Sequence, residues 1–179
     1  MRKLSLTIAI VIVTLTTYAQ KGKNSVGFGA DVGLPLGEFG DICTVGFGGY
    51  AKALLGVGSA GQVSFTSGYT VFNVKSELRQ MLGVDKSSVR IIPVLFGYRH
   101  NMKGVYLEPQ IGLGIFSAKA SVGNISATNS ENAFAWGFGG GYAWQNGLDL
   151  GVNFSGAAKD GSTDSWINLR LGYNISLRK

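Results

Sequence analysis

The stretch "WINLRLGYNISL" (166–177) has the most regular hydrophobic pattern in the chain. Every second residue is large and apolar, namely Ile167, Leu169, Leu171, Tyr173, Ile175 and Leu177. The residues between them are small, polar or charged: Asn168, Arg170, Gly172, Asn174 and Ser176. Because successive side chains of a β-strand point to opposite faces, this alternation predicts a strand with one apolar and one polar face.

Seven earlier segments of about ten residues show the same alternation and are separated by turn residues. They are "SVGFGADVGL" (25–34), "TVGFGGYAKALL" (44–55), "QVSFTSGYTVF" (62–72), "VRIIPVLFGYRH" (89–100), "YLEPQIGLGIF" (106–116), "AFAWGFGGGYAW" (133–144) and "LDLGVNFSG" (148–156). Repeated alternating segments of this length are typical of a membrane β-barrel. In the fourth of them, Pro93 lacks a backbone N–H, which predicts a strand end or a bulge at that position.

The connections between these segments alternate in length. Long connections lie at about 35–43, 73–87, 117–132 and 157–164, and short ones at about 57–60, 101–104 and 145–147. Outer-membrane barrels have long outer loops and short periplasmic turns, so both chain ends are expected on the short-turn side. The "QNG" turn (145–147) fits this arrangement, because three residues ending in glycine place Trp144 opposite Leu148 on one face.

The second long connection leaves two alternatives open. Val74, Leu78, Met81 and Leu82 have the spacing of one helix face. A short amphipathic helix on the outer rim and an irregular loop both fit, and neither implies a ligand.

Glycine is unusually frequent, at 28 of 179 residues, which is roughly twice ordinary usage. With alanine, it occupies much of the face opposite the large apolar residues. A soluble barrel would need its apolar face inside and its polar face outside, and glycine and alanine can neither fill a core nor solubilise a surface. The large apolar side chains are therefore expected to face lipid. The predicted fold is all-β, an eight-stranded antiparallel up-and-down transmembrane β-barrel with a plugged, Gly-rich lumen.

The first 19 residues have the three parts of a secretory signal peptide. Arg2 and Lys3 form the positive start, residues 4–15 the apolar stretch, and Thr17-Tyr18-Ala19 a small-x-small cleavage site. The apolar stretch is shorter than the ~20 residues of a membrane-spanning helix, and no cysteine follows it to carry a lipoprotein anchor. We predict that residues 1–19 are removed and that residues 20–179 form one barrel domain in the cell outer membrane.

We find no residue set that would support catalysis or hold a cofactor or metal. The "GVGSAG" match (56–61) to a dinucleotide fingerprint precedes a strand instead of the required helix, which predicts a glycine turn. His100, the single histidine, is followed two positions later by Met102 rather than a serine, and is expected to be an exposed turn residue. Cys43, the single cysteine, is expected to be a small loop residue. The sequence predicts no enzyme activity and no cofactor.

The charge is modest and dispersed. The formal net charge is +6, or +4 without Arg2 and Lys3, and no run of Lys and Arg exceeds two residues. A nucleic-acid partner would need a basic patch, so none is predicted.

Six charged residues share the predicted inward face: Asp31, Lys52, Arg99, Glu108, Asp149 and Arg170. Equal numbers of opposite charges on a narrow wall predict a paired network that closes the lumen. A four-residue turn at 101–104 would set Arg99 opposite Tyr106, one diagonal step from Glu108. Lys52 and Arg170 could reach Glu108 across so small a barrel. We expect Glu108 to bond at least one of these three cations.

Three stretches together resemble a known family: "GLPLGEFGD" (33–41), "IPVLFGYRH" (92–100) leading into "VYLEPQIGLGIFS" (105–117), and "LRLGYNIS" (169–176). They resemble the small outer-membrane β-barrel proteins common in the Bacteroidetes, and the architecture is similar to that of OmpA/OmpX-type barrels. The resemblance implies contact with outer-membrane lipid and insertion by the barrel assembly machinery. That machinery usually recognises a last strand that ends in an aromatic residue. Here the strand ends in Ile175-Ser176-Leu177, so Tyr173 is the candidate for that recognition.

The sequence predicts a monomer with a structural or interaction role that is exerted through its outer loops. A narrow pore for small solutes or ions is the alternative. A lipid-modifying outer-membrane enzyme is a remote third reading. Fold alone does not choose between the first two.

Overall fold

The computed structural model describes residues 24–81, 83–122 and 125–177, and within them eight antiparallel strands form a closed barrel. The strands are β1 (Ser25–Leu36), β2 (Cys43–Val57), β3 (Gly61–Val74), β4 (Lys86–Met102), β5 (Val105–Val122), β6 (Ile125–Ala143), β7 (Leu148–Lys159) and β8 (Ser162–Ser176). Each strand pairs with the next, and β1 pairs with β8. This confirms the predicted fold. The predicted signal peptide at residues 1–19 lies outside the described residues.

Two short helices connect strands at the outer end of the barrel, α1 (Gly37–Ile42) and α2 (Ser76–Met81). The helix alternative for the second long connection is therefore the correct one, although only its middle is helical. Val74 belongs to β3 and Leu82 lies outside the described residues. Neither described helix has the length and apolar character needed to cross a membrane.

The large apolar side chains point away from the lumen, as predicted. Phe47 keeps 66% of its surface exposed and Ile111 keeps 62%. Leu113, Phe138 and Leu171 are similarly exposed. The sheet that carries this belt of apolar residues is closed, so it has no open edge, which is a requirement for a sheet in hydrocarbon.

Both ends of the described barrel, Asn24 and Leu177, lie beside the short turns, as predicted. The backbone N–H of Leu177 donates to the carbonyl of Asn24 at 2.8 Å, and the Asn24 side chain accepts from the N–H of Gly56 at 2.9 Å. The "QNG" turn also has the expected form. Trp144 N–H bonds the carbonyl of Leu148 at 2.8 Å, and Gly147 has φ 100°.

The turn between β4 and β5 is shorter than predicted. Met102 pairs with Val105, so the turn contains two residues, Lys103 (φ 52°) and Gly104 (φ 102°). Two positive φ angles in succession are the type I′ geometry that matches strand twist. The register consequently places Asn101, rather than Arg99, opposite Tyr106.

Two of the predicted long loops are mostly strand. β5 and β6 remain paired out to Val122 and Ile125, and β7 and β8 pair out to Lys159 and Ser162. The residues in these extensions are mainly Ser, Thr, Asn, Ala and Lys. Lipid enforces the apolar alternation only where it touches the strand, so the pattern stops before the hydrogen-bonded ladder does.

Pro93 lies in the middle of β4, which corrects the prediction of a strand end or bulge. It pairs with Gly114 of β5. On the other side, pairing with β3 lapses between Ile91 and Val94 and resumes in the same register. The missing N–H thus interrupts one ladder locally, and the pairing on both sides of the gap keeps the strand straight.

Candidate functional site in the barrel lumen

All six charged residues predicted for the inward face are buried inside the barrel. They come from six different strands: Asp31 (β1), Lys52 (β2), Arg99 (β4), Glu108 (β5), Asp149 (β7) and Arg170 (β8). Arg99 retains 1% exposure and Glu108 retains 2%. Buried charges are costly unless they are paired and hydrogen-bonded, so the partners of each side chain decide what the lumen can do.

Glu108 is held by a cation and an amide. Lys52 Nζ lies 2.7 Å from Glu108 Oε2, and Gln110 Nε2 donates to Oε1 at 2.7 Å. Lys52 is therefore the one of the three expected cations that contacts Glu108. Because β2 and β5 are separated by β3 and β4, this ion pair crosses the lumen rather than following its wall. Gln110 also lies 2.9 Å from the Thr66 hydroxyl, which ties the pair to β3.

Asp149 is the centre of a second group. It accepts hydrogen bonds from Arg99 Nη2 at 2.8 Å, from the Tyr106 hydroxyl at 2.7 Å and from Asn174 Nδ2 at 2.8 Å. The Arg99 guanidinium also stacks on the Tyr106 ring, with Cζ 3.4 Å from the ring centroid. Three donors, one of which is a stacked guanidinium, give this carboxylate the compensation that burial requires.

Asp31 and Arg170 are cross-strand partners, but they form no direct ion pair among the described residues. Asp31 accepts a 3.2 Å bond from the Thr70 hydroxyl, and the Arg170 guanidinium lies 5.1 Å from the Tyr50 ring centroid. A cavity of about 20 Å³ adjoins both charges. That volume is enough for about one water molecule. The predicted network therefore consists of two ion pairs and of Asp31 and Arg170, which are opposite each other on β1 and β8 without a direct ion pair.

Several polar partners were not among the predicted site residues. Gln110, Tyr106 and Asn174 each donate to one of the buried carboxylates. All three lie on the inward parity of predicted strands, so the alternation could have identified them. A search restricted to charged residues overlooks neutral hydrogen-bond donors.

An apolar cluster closes the outer end of the lumen. Phe39 of α1 turns into the barrel mouth and packs edge-on against Phe72, with ring centroids 5.0 Å apart, and against Trp166 at 6.1 Å. Cys43, Val74, Ile91, Ala133 and Ala157 complete the buried set, and Leu78 of α2 packs on it. Hereafter we call Phe39, Cys43, Phe72, Val74, Ile91 and Trp166 the outer plug.

Cys43 is not the loop residue that the sequence predicts. It begins β2 and is 2% exposed within the outer plug. A thiol is compact and behaves as a small hydrophobe, so it fits beside the aromatic rings. The apolar alternation of β2 begins only at Val45. The first two residues of the strand, Cys43 and Thr44, therefore show no strand pattern in the sequence.

Inward glycines make room for the large side chains of the lumen. A Cβ on Gly151 would come within 2.5 Å of the Tyr106 hydroxyl, and one on Gly141 within 2.7 Å. A Cβ on Gly33 or on Gly46 would lie 2.6 Å from the Phe72 ring. The Gly-rich face is thus the complement of a few bulky residues and not an empty channel wall.

Metal-ligating side chains do not cluster among the described residues. No group of three or more His, Cys, Asp and Glu among them could hold a metal ion. His100 is exposed near the end of β4, with its ring centroid 6.3 Å from that of Tyr98. Its cross-strand partners are Gly61 and Leu107, neither of which is a nucleophile.

Comparisons with solved structures agree on the fold. The chain is similar to Ail, the attachment invasion locus protein of Yersinia pestis (TM-score 0.64, 16% identity, 87% of this chain and 100% of that one). It is also similar to the N-terminal β-barrel domain of Pseudomonas aeruginosa OprF (0.60, 14%, 86% and 99%) and to Neisserial surface protein A (0.58, 15%, 86% and 97%). No protein-family model and no curated protein sequence matches the chain. The fold is that of the small eight-stranded outer-membrane β-barrels.

Proposed function

We propose that this protein is an integral outer-membrane barrel with a closed lumen, which acts structurally or by presenting its outer surface to a partner. The observation that carries the proposal is the double closure of the lumen. The charged pairs Lys52–Glu108 and Arg99–Asp149 cross its periplasmic half. The outer plug fills its other half.

The size of the remaining space argues against the narrow-pore alternative. The cavity between the two closures measures about 20 Å³, whereas a conducting path would need room for a hydrated ion along its whole length. Opening it would strand the partners of Glu108 and Asp149 or expel the Phe39 ring from the plug. Both changes are costly, because they expose buried apolar area or leave buried charges unpaired.

The outer surface offers a rigid projection for an interaction role. The β5–β6 hairpin continues its ladder beyond the apolar belt, and the hydroxyls of Ser117 and Ser130 lie 2.8 Å apart across it. The Lys159–Glu131 ion pair, at 2.5 Å, joins β7 to this hairpin. A paired, polar hairpin presents a fixed surface, so a partner would bind it without an ordering cost.

We also propose that the molecule is a monomer whose wall contacts lipid and which meets the barrel assembly machinery during insertion. The outward belt is apolar around the whole circumference and fits lipid on every side. We also propose, from the sequence resemblance, a shared lineage with the small Bacteroidetes barrels. The resemblance concerns lineage and not activity. His100, without a neighbouring nucleophile, supports a role other than lipid hydrolysis.

Single-channel recording tests the proposal most directly. The purified protein, refolded in detergent and added to a planar bilayer, is expected to give no steady openings under conditions in which a general porin conducts. Steady openings of porin size would refute the closed-lumen proposal. Small, regular openings would instead favour the narrow pore.

A further inference from the structure

A polar cleft of about 480 Å³ lies on the barrel near the outer ends of β3, β4 and β5, next to α2. Its lining contains four cations and several neutral donors, among them Asn73, Arg79, Lys86, Ser88, Arg90 and Lys119. We call this the cationic cleft. None of its described lining residues is acidic.

The cleft opens on the lipid-facing side of the wall and not on the lumen. Lys86 and Arg90 have the same strand parity as exposed Phe96, and Lys119 has that of exposed Ile111. The β4–β5 register is unbroken between these positions, since Lys86 pairs with Ser121 and Gly97 with Gln110. No parity change therefore separates the cations from the apolar belt.

The cations lie immediately above that belt. Arg90 is two residues from Ile92 and Lys119 is four from Ile115, and both isoleucines belong to the outward apolar face. Two residues along a strand span only about 7 Å. A molecule that rests on the belt with its apolar part would bring its polar end directly to the cleft.

None of the four cleft cations forms an ion pair with another described residue. Within the part of the chain that the structure describes, the ion pairs are made by Lys52, Arg99 and Lys159. Arg79 Nη1 donates to the backbone carbonyl of Asp85 at 2.8 Å, which orients the guanidinium. Its Nε is buried and has no hydrogen-bond partner among the described residues.

We propose that the cationic cleft binds the phosphate of an anionic lipid headgroup in the outer leaflet. Guanidinium and ammonium groups beside serine hydroxyls are the donors that recognise phosphate. A free anion would use only the cleft, whereas a lipid would use the cleft and the apolar belt beneath it. The position of the cations on the outward wall therefore favours the lipid. This inference rests on the membrane placement proposed above.

The test uses the full-length mature protein in detergent micelles and measures bound lipid by native mass spectrometry during a titration. The lipid is diphosphorylated lipid A, with its dephosphorylated form and soluble inorganic phosphate as separate arms. Arg90→Gln/Lys119→Gln is compared with Lys103→Gln/Lys159→Gln, which removes the same charge outside the cleft. We expect the cleft variant to lose about tenfold or more in affinity for lipid A, and the control to change little.

Each other outcome counts against the inference. Equal affinity of both variants, or equal binding of the dephosphorylated lipid, would overturn it. Effective competition by inorganic phosphate at matched concentration would show a site for free anions instead. The unheated gel band of each variant reports whether its barrel is folded. If the wild-type protein itself forms no detergent-resistant barrel, the proposed function fails and not the assignment of the cleft alone.

Discussion

At the scale of single residues, Glu108 shows why a carboxylate occurs in so apolar a chain. It points inward, where it accepts from Lys52 and Gln110 and joins opposite walls of the barrel. Arg99 lies on the neighbouring strand at the same level, yet it bonds Asp149. The choice of partner depends on which side chains have the length and direction to cross the lumen.

We predict that Glu108→Ala lowers the temperature at which the folded band is lost on an unheated gel. The substitution leaves the Lys52 ammonium buried without its carboxylate, at a cost on the order of 3–5 kcal/mol, less if water enters the lumen. Removing both charges with Lys52→Met/Glu108→Leu is expected to cost less than the single change. Glu131→Ala, which breaks an exposed ion pair, is the surface control and should change little. A Glu108→Ala barrel as heat-resistant as wild type would contradict the assigned pairing.

At the scale of elements, a glycine in or next to each short turn lies against a tyrosine of the strand that comes after the hairpin. A Cβ on Gly104 would lie 2.8 Å from the Tyr142 ring, and one on Gly147 would lie 2.9 Å from the Tyr173 ring. A Cβ on Gly61 would likewise lie 2.9 Å from the Tyr98 ring. These three tyrosines are exposed on the outward face near the turns. An aromatic girdle at the membrane interface is a property of outer-membrane barrels, and the glycines let its rings lie flat on the wall.

Gly147→Ala is therefore predicted to destabilise the barrel more than Gly161→Ala. Both glycines have positive φ, 100° and 85°, so both substitutions strain the backbone by roughly 1–2 kcal/mol. At Gly147 the new Cβ would also lie 2.6 Å from the carbonyl oxygen of Asn174, whereas at Gly161 nothing lies within 4 Å. Thermal loss of the folded gel band measures the difference. Equal destabilisation would mean that backbone strain alone accounts for the effect.

At the scale of the whole molecule, closure of the sheet and plugging of the lumen act together. Pairing of β1 with β8 removes the sheet edges, and the inward side chains then fill the lumen down to a cavity of about 20 Å³. The outward belt is apolar and therefore favours lipid over water as its surroundings. We therefore expect a molecule of this kind to be stable in a membrane or in detergent.

The mature protein is expected to fractionate with outer membranes and to migrate faster on a gel when unheated than when boiled. A closed barrel resists detergent and stays compact until heat breaks its ladder. Western blotting of separated membranes and paired heated and unheated lanes test both statements. Recovery of the mature protein as a soluble periplasmic species would contradict the membrane placement.

The sequence by itself determined the alternating part of the eight strands, their faces and the end of the barrel at which β1 begins and β8 finishes. Lipid requires an apolar side chain at every second position of each strand that it touches. The residue types at positions such as Leu171 and Asn168 therefore show directly which of them faces outward and which faces the lumen. Parity likewise predicted that Glu108 and Arg170 point inward. The turn at 145–147 followed from local chemistry, because glycine and a three-residue spacing suffice to specify it.

Only the tertiary structure decided how the lumen is filled. The Lys52–Glu108 and Arg99–Asp149 pairs join strands that are not neighbours, so closure of the barrel brings them together and no local pattern encodes them. The same holds for the outer plug, in which Phe39 and Cys43 meet Trp166 from the far end of the chain. The outer extensions of β5 to β8 leave no periodic trace, because water accepts polar side chains on both faces. The sequence shows the two-residue apolar period where the surrounding lipid requires apolar side chains. The packing inside the barrel depends on contacts that exist only after folding.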